Sequence, residues 1–264
     1  MTLRILALAA AAVAIFATGS CKQVGVDSDN PAFAAINGDY LKTGGDGSNW
    51  AMTGFSYDEQ RHSPLTKIND DNVQDLGIAW FADLPDARGQ EATPVVVDGK
   101  MFISTAWSKV FAYDAKDGKP LWSFDPEVDK ARGVKACCDV VNRGVAFWKG
   151  SLFVGTIDGR LIALDAATGK ELWSTQTLDL KSNGTITGVP RVVKDKVVIG
   201  FGGAEFGARG YVTAYDAATG EQAWRFYTTP NPKGEPDNAA SDDILKTAAT
   251  STWSKTPKKG DWRE

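Results

Sequence analysis

The chain has 264 residues, 43% of them hydrophobic, enough for a packed core and against disorder. Lys and Arg number 29 against 33 Asp and Glu, a net charge of -4 that gives no footing to a nucleic-acid partner. One His and three Cys argue against a His-based zinc site, and no Cys-x-x-Cys-His run is present for covalent haem attachment.

Arg4 followed by an unbroken apolar run over 5–17 is too short to span a bilayer and suits a secretory signal. The small residues Thr18, Gly19 and Ser20 then lead to Cys21. We read 1–20 as a signal peptide, which sends the chain to the periplasm, an oxidising space. Two readings of the junction stay open. Plain secretion is the simpler; membrane anchoring through a lipidated Cys21 is the other, with Thr18 standing where such signals prefer Leu. Residues 21–55 read as a loop region, irregular over 43–49 where glycines cluster.

From residue 56 to 230 the pattern is all-β. Trp80 marks a first, shorter Trp strand. Hairpins are expected at Asp98-Gly99, Lys149-Gly150 and Lys194-Asp195. Each lies ahead of one copy of an internal repeat: Ala112-Tyr-Asp114-Ala-Lys-Asp-Gly118-Lys-Pro-Leu-Trp122, then Ala163-Leu-Asp165-Ala-Ala-Thr-Gly169-Lys-Glu-Leu-Trp173, then Ala214-Tyr-Asp216-Ala-Ala-Thr-Gly220-Glu-Gln-Ala-Trp224. The tryptophans are 51 residues apart both times. A period near fifty filled with short strands predicts a β-propeller of Trp-docking repeats, four strands to a blade. The glycines supply positive φ in the turns, and each Trp lies between neighbouring sheets. Only about three to four blades are covered, so the propeller is read as incomplete. Residues 231–264 read as an irregular, truncated tail.

Cys137-Cys138 is the sharpest chemical feature. Across a trans peptide their Cα atoms are ~3.8 Å apart, so a bond between them closes a tight, strained ring. In an oxidising compartment a bond is favoured over two free thiols on a loop. Gly202 and Gly203 permit close backbone approach to a ligand, and Glu205 follows as a hard oxygen ligand, although a Gly-rich bend with a solvated carboxylate is the commoner case. By composition Glu91 reads as a solvated loop carboxylate and Arg143 as a surface cation. Gly200-Phe-Gly202 lacks the third glycine and the helix of a dinucleotide fingerprint. His62 sits in no nucleophile-elbow context, so hydrolytic catalysis has no support.

Together these segments resemble the pyrroloquinoline quinone (PQQ)-dependent alcohol dehydrogenases of the methanol/ethanol type. The likeness rests on Tyr57-Asp-Glu-Gln-Arg-His-Ser-Pro64, Glu91-Ala-Thr-Pro94, Cys137-Cys-Asp-Val-Val-Asn-Arg143-Gly, Ile186-Thr-Gly-Val-Pro-Arg191, Gly203-Ala-Glu205-Phe-Gly-Ala-Arg-Gly210 and the Trp repeats, all in family order. The resemblance implies an eight-bladed propeller with PQQ in its funnel. It implies that the Cys137–Cys138 ring packs on one face of the quinone. Glu91 and Arg143 would meet the cofactor's polar edge, Thr187 would donate from its hydroxyl, and Gly203 and Ala204 would place backbone near a carboxylate. Glu205 would ligate a Ca²⁺ or lanthanide ion acting as Lewis acid. It further implies a small primary alcohol as substrate, oxidised to aldehyde, and a cytochrome c or similar electron acceptor. The family's second metal ligand and catalytic Asp belong to blades beyond residue 264, so no catalytic residue is assigned and the chain alone is expected to be inactive. The alternative is a non-catalytic scaffold lipoprotein of the outer-membrane assembly type, which shares the repeats but gives no reason for these site residues to stand together.

Overall fold

The three hairpin turns form where glycine, aspartate or lysine accepts a left-handed backbone. Asp98 and Gly99 have φ 52° and 67°, Lys149 and Gly150 46° and 88°, Lys194 and Asp195 49° and 58°. Positive φ at both central residues is the turn whose twist matches paired strands. The computed structural model describes residues 30–252; the expected signal peptide, Cys21 and the chain beyond 252 lie outside the described residues.

Twelve strands follow in three antiparallel four-stranded sheets among the described residues. The first blade is β1 (Val95–Val97), β2 (Lys100–Ser104), β3 (Val110–Asp114) and β4 (Pro120–Phe124). The second is β5 (Ala146–Trp148), β6 (Ser151–Gly155), β7 (Arg160–Asp165) and β8 (Glu171–Gln176). The third is β9 (Arg191–Val193), β10 (Lys196–Ile199), β11 (Tyr211–Asp216) and β12 (Gln222–Tyr227). Each blade is a meander in chain order. The register shifts at the same place in all three, at Ala112/Tyr113, Ala163/Leu164 and Ala214/Tyr215. The repeat in sequence is therefore a repeat in three dimensions, down to the bulge. Apolar side chains such as Phe102, Phe147, Phe153, Leu152 and Ile162 are fully buried between the sheets.

The Trp junction works as expected, in the forward direction, between each pair of neighbouring blades among the described residues. Trp122 Nε1 donates to Ala166 O at 3.1 Å, in the turn of the next blade, and Trp173 Nε1 to Ala217 O at 3.1 Å. Each indole lies flat on the turn glycine: a Cβ on Gly169 would sit 2.5 Å from Trp122 Cε3, and one on Gly220 2.6 Å from Trp173 Cε3. Gly169 has φ 72° as well, so glycine is required there twice over. Gly169→Ala is expected to destabilise the protein by roughly 2–4 kcal/mol, from left-handed strain plus overpacking. Gly99→Ala, also at positive φ but facing open space, should cost only about 1 kcal/mol. Thermal unfolding of the two variants separates the junction from the turn; equal losses would show that indole contact contributes nothing.

Trp80 corrects one expectation. It makes the same junction, with Nε1 donating to Ala115 O at 3.0 Å and its ring against Gly118. Yet the residues around it form no strand. An outer strand exists only by pairing with an inner one, and no described segment lies beside it, leaving Ile78 and Phe81 exposed.

The region 21–55 is not loop throughout. Asn30 caps α1 (Pro31–Ala34), with Pro at its first turn, and Asn37 caps α2 (Gly38–Thr43), accepting from the N–H groups of Asp39 and Tyr40. Phe33 of α1 is fully buried, edge-on to Phe147 at 5.2 Å. The glycine-rich stretch after α2 is irregular as expected. The segment then crosses between blades: Trp50 bridges to Val96 in the first, while Tyr57 Oη donates to Val192 O at 2.8 Å in the third.

The tail also departs from expectation. Residues Asp242–Thr252 form a helix, α3, with Asp242 and Asp243 favourably placed in its first turn. Its start is pinned to the outer edge of the third blade, where Tyr227 N donates to Ser241 Oγ and Ala240 N to Arg225 O, both at 3.0 Å.

Candidate functional site

Three loops enter the inner strands β1, β5 and β9 from the same end, and their backbones lie side by side. Thr93 N donates to Arg143 O at 3.3 Å, and Arg143 N to Thr187 O at 3.0 Å. Gly144 sits between Thr93 and Val189. This seam carries three of the residues singled out from sequence. Arg143 Nη2 meets Glu91 Oε2 at 2.8 Å, and Arg143 Nη1 donates to Thr187 Oγ1 at 2.5 Å. Composition reads Glu91 and Arg143 as independent surface charges; the fold makes them one unit, because each stands just ahead of an inner strand.

A second group is built around the adjacent cysteines. Cys137 and Cys138 follow a 3₁₀ turn, Lys130–Lys135, and both are exposed. Their Sγ atoms are 2.7 Å apart. The structure holds them as two thiols rather than as the bonded ring expected from adjacency. Hydrogen bonding to the Cys138 thiol, with desolvation and the neighbouring Glu205 carboxylate adding to it, pushes the Cys137 thiol up to about 11.

Glu205 stands on a short 3₁₀ turn, Ala204–Phe206, capped by Gly203 at φ 130°. A Cβ on Gly203 would lie 2.8 Å from Gly184 Cα, so only glycine lets this loop close on the 182–185 loop. The two loops are tied by reciprocal bonds between Thr185 and Gly202. Ala204 and Glu205 are exposed at the tip.

Sequence reasoning passed over the supports of this site. Arg132, only 8% exposed, donates to the carbonyls of Leu180, Ser182 and Gly184, bracing the loop that holds Gly203. Buried Asn142 accepts from Ser104 Oγ and Gly144 N and donates to Gly155 O. Asp139, next to the cysteines, accepts from Arg88 and is held down to about 2, chiefly by that hydrogen bond. Asn142 and Asp139 lie inside the quoted Cys-Cys motif, which was the available signal. Arg88 and Arg132 have no local signature.

The Arg143–Thr187 edge suits an anionic group on a ligand. A forked guanidinium matches a carboxylate, and Thr187, already accepting from Arg143, keeps its own hydroxyl proton for another acceptor. Among the described residues no group of three or more His, Cys, Asp or Glu is gathered to hold a metal ion. Glu205 is therefore one oxygen donor that a cation would have to share with others.

Comparison with known proteins gives a consistent picture. A family model described as PQQ, glucose/ethanol/alcohol dehydrogenase, β-propeller domain, matches residues 50–258. The dehydrogenase subunit of an alcohol dehydrogenase (quinone) of Komagataeibacter europaeus is 54% identical over 214 residues, 79% of this chain and 29% of that protein. The crystal structure of the quinohemoprotein alcohol dehydrogenase from Comamonas testosteroni superposes with TM-score 0.78 at 50% identity, covering 85% of this chain and 34% of that one. A europium-containing methanol dehydrogenase superposes with TM-score 0.70 at 40% identity, over 76% of this chain and 36% of that one. The chain thus spans about a third of the length of the relatives it matches.

Proposed function

Because the chain belongs to the PQQ glucose/ethanol/alcohol dehydrogenase β-propeller family, we propose that it forms the N-terminal part of a periplasmic quinoprotein that oxidises primary alcohols to aldehydes. The observation that carries this reading is the seam in which Arg143 joins Glu91 and Thr187 ahead of the inner strands, in a chain that also carries the adjacent Cys137–Cys138 pair. PQQ would supply a two-electron acceptor there, and a Ca²⁺ or lanthanide ion the Lewis acid that polarises it. Arg143 and Thr187 bind and orient the cofactor's polar edge. Glu91 keeps the guanidinium aimed. Gly203 and Ala204 offer backbone at close range, and Glu205 donates an oxygen to the cation. The cysteine pair, two thiols with Sγ atoms 2.7 Å apart, would close into a bond on oxidation in the periplasm and present a rigid face to the ring. A cytochrome c would take the electrons; a relative from Thauera butanivorans is named a 1-butanol dehydrogenase (cytochrome c). The scaffold alternative gives no work to the Arg143 seam.

The test uses this chain joined to the remaining two-thirds of a relative. Glu205→Ala in that protein is expected to abolish cation-dependent alcohol oxidation, and to weaken PQQ binding in the presence of Ca²⁺ but not in its absence. Wild-type cation dependence in the variant would remove Glu205 from the metal site.

A further inference from the structure

Among the contacts that fasten the loop carrying the cysteines, one carboxylate joins it to the segment ahead of Glu91. Asp139 has φ 69°, a left-handed conformation that fixes the direction of the chain as it leaves Cys138. Its side chain accepts four hydrogen bonds. Arg88 Nε lies 3.1 Å from Oδ2, Arg88 Nη2 meets Oδ1, Gly89 N donates to Oδ2 at 3.3 Å, and Val140 N to Oδ1 at 2.7 Å. Arg88 is itself positioned: its guanidinium lies 5.9 Å from the centre of the Trp107 ring, and Trp107 N donates to Val140 O at 2.9 Å. Glu91 stands three residues after Arg88. One forked contact thus links the cysteine loop to the segment that delivers Glu91.

We propose that Arg88 and Asp139 are a positioning pair that holds the Cys137–Cys138 plane in register with Glu91. The proposal rests on the reading of the cysteine pair and Glu91 as two sides of one ligand site. The pair is half exposed on the arginine side, so its removal should little affect folding. What it fixes is the spacing and orientation of two neighbouring sulfurs. Held groups react as if at high effective concentration, and releasing the loop lowers that concentration.

The measurement is the equilibrium of the whole chain with glutathione. Oxidation forms the Cys137–Cys138 bond; the two thiols give up two electrons and two protons to glutathione disulfide, whose own bond breaks to give two glutathione thiols. The dithiol fraction is read by alkylation and intact mass. Arg88→Ala is expected to move the equilibrium constant about tenfold toward the dithiol, ~30 mV for this two-electron couple. Asp139→Asn, which retains acceptors for Gly89 and Val140, should move it in the same direction by less. Arg88→Lys, with charge but no fork, should recover part of the loss. Lys149→Ala removes a comparably exposed pair, Lys149 with Asp195 at 2.9 Å, at the far end of the inner strand, and should change nothing. Equal constants for wild type and Arg88→Ala would overturn the proposal. Should the wild type never oxidise, the disulfide reading fails by itself; capture by phenylarsine oxide, which bridges neighbouring thiols, then reads the same spacing. Capture weakened about tenfold by Arg88→Ala supports the pair, and unchanged capture sinks it.

Discussion

Residues 21–264 purified alone, with PQQ, Ca²⁺ and ethanol, are expected to show no measurable dye reduction. Glu205 is exposed, and no three or more metal-binding side chains are gathered among the described residues. On the proposed reading the seam around Arg143 offers one edge of the ligand site, and the cysteine pair one face. A ligand held on half its surface forfeits several kcal/mol, and about 4 kcal/mol is already a factor of ~10³ in affinity. On the proposed reading the proton-accepting Asp comes from the part of the relatives' length that this chain does not span, and loss of a general base alone removes roughly 10²–10⁴ in rate. Joining the chain to the remaining blades of a relative should restore both binding and turnover. Steady turnover by the isolated polypeptide would place the base within these 264 residues and show the site to be misassigned.

In the joined protein, Arg143→Ala should raise the Kd for PQQ by about 10- to 100-fold, the cost of losing a charged, forked hydrogen-bond donor. The loss has two parts. A forked donor disappears, and Glu91, paired at 2.8 Å in the wild type, is left as a bare carboxylate beside an anionic ligand. The double variant Arg143→Ala/Glu91→Gln should therefore bind more tightly than Arg143→Ala alone, and the cycle isolates that repulsion. Arg143→Lys should fall between, because an ammonium restores charge without the fork. Unfolding should change little in all of them, since the pair is about 40% exposed on both sides. A Kd within twofold of wild type in Arg143→Ala would take this residue out of the binding site.

What the chain discloses before folding depends on whether a feature is repeated or local. The Trp spacing was readable because the same junction is solved three times with the same residues, and the hairpins because Asp98-Gly99 and Lys149-Gly150 write their φ into two positions. The short helices α1 and α2 were hidden: four and six residues carry no period, and only the caps Asn30 and Asn37 announce them. Trp80 showed its docking but not its lack of a partner strand, since pairing is a property of two segments. In the site, the quoted motifs delivered the residues on the seam. The Arg88–Asp139 link joins positions 51 apart, and Arg132 reaches carbonyls about 50 residues on, contacts that no window along the chain contains.

The forward reach of each indole makes every blade boundary a head-to-tail contact of one kind. Trp122 takes the turn of the blade ahead as Trp173 does, with the same carbonyl and the same glycine. A contact of this sort has no built-in stopping point; it closes into a ring only when the angle per step divides a full rotation. Whole modules can then be duplicated or deleted by recombination at the gene level without inventing a new interface, and ring size is free to drift. The Cys-Cys pair, Arg143 and Glu205 are under the opposite regime. Each occurs in one module only, at a fixed distance around the axis from the others, so a shuffled copy would preserve the architecture and scatter the chemistry.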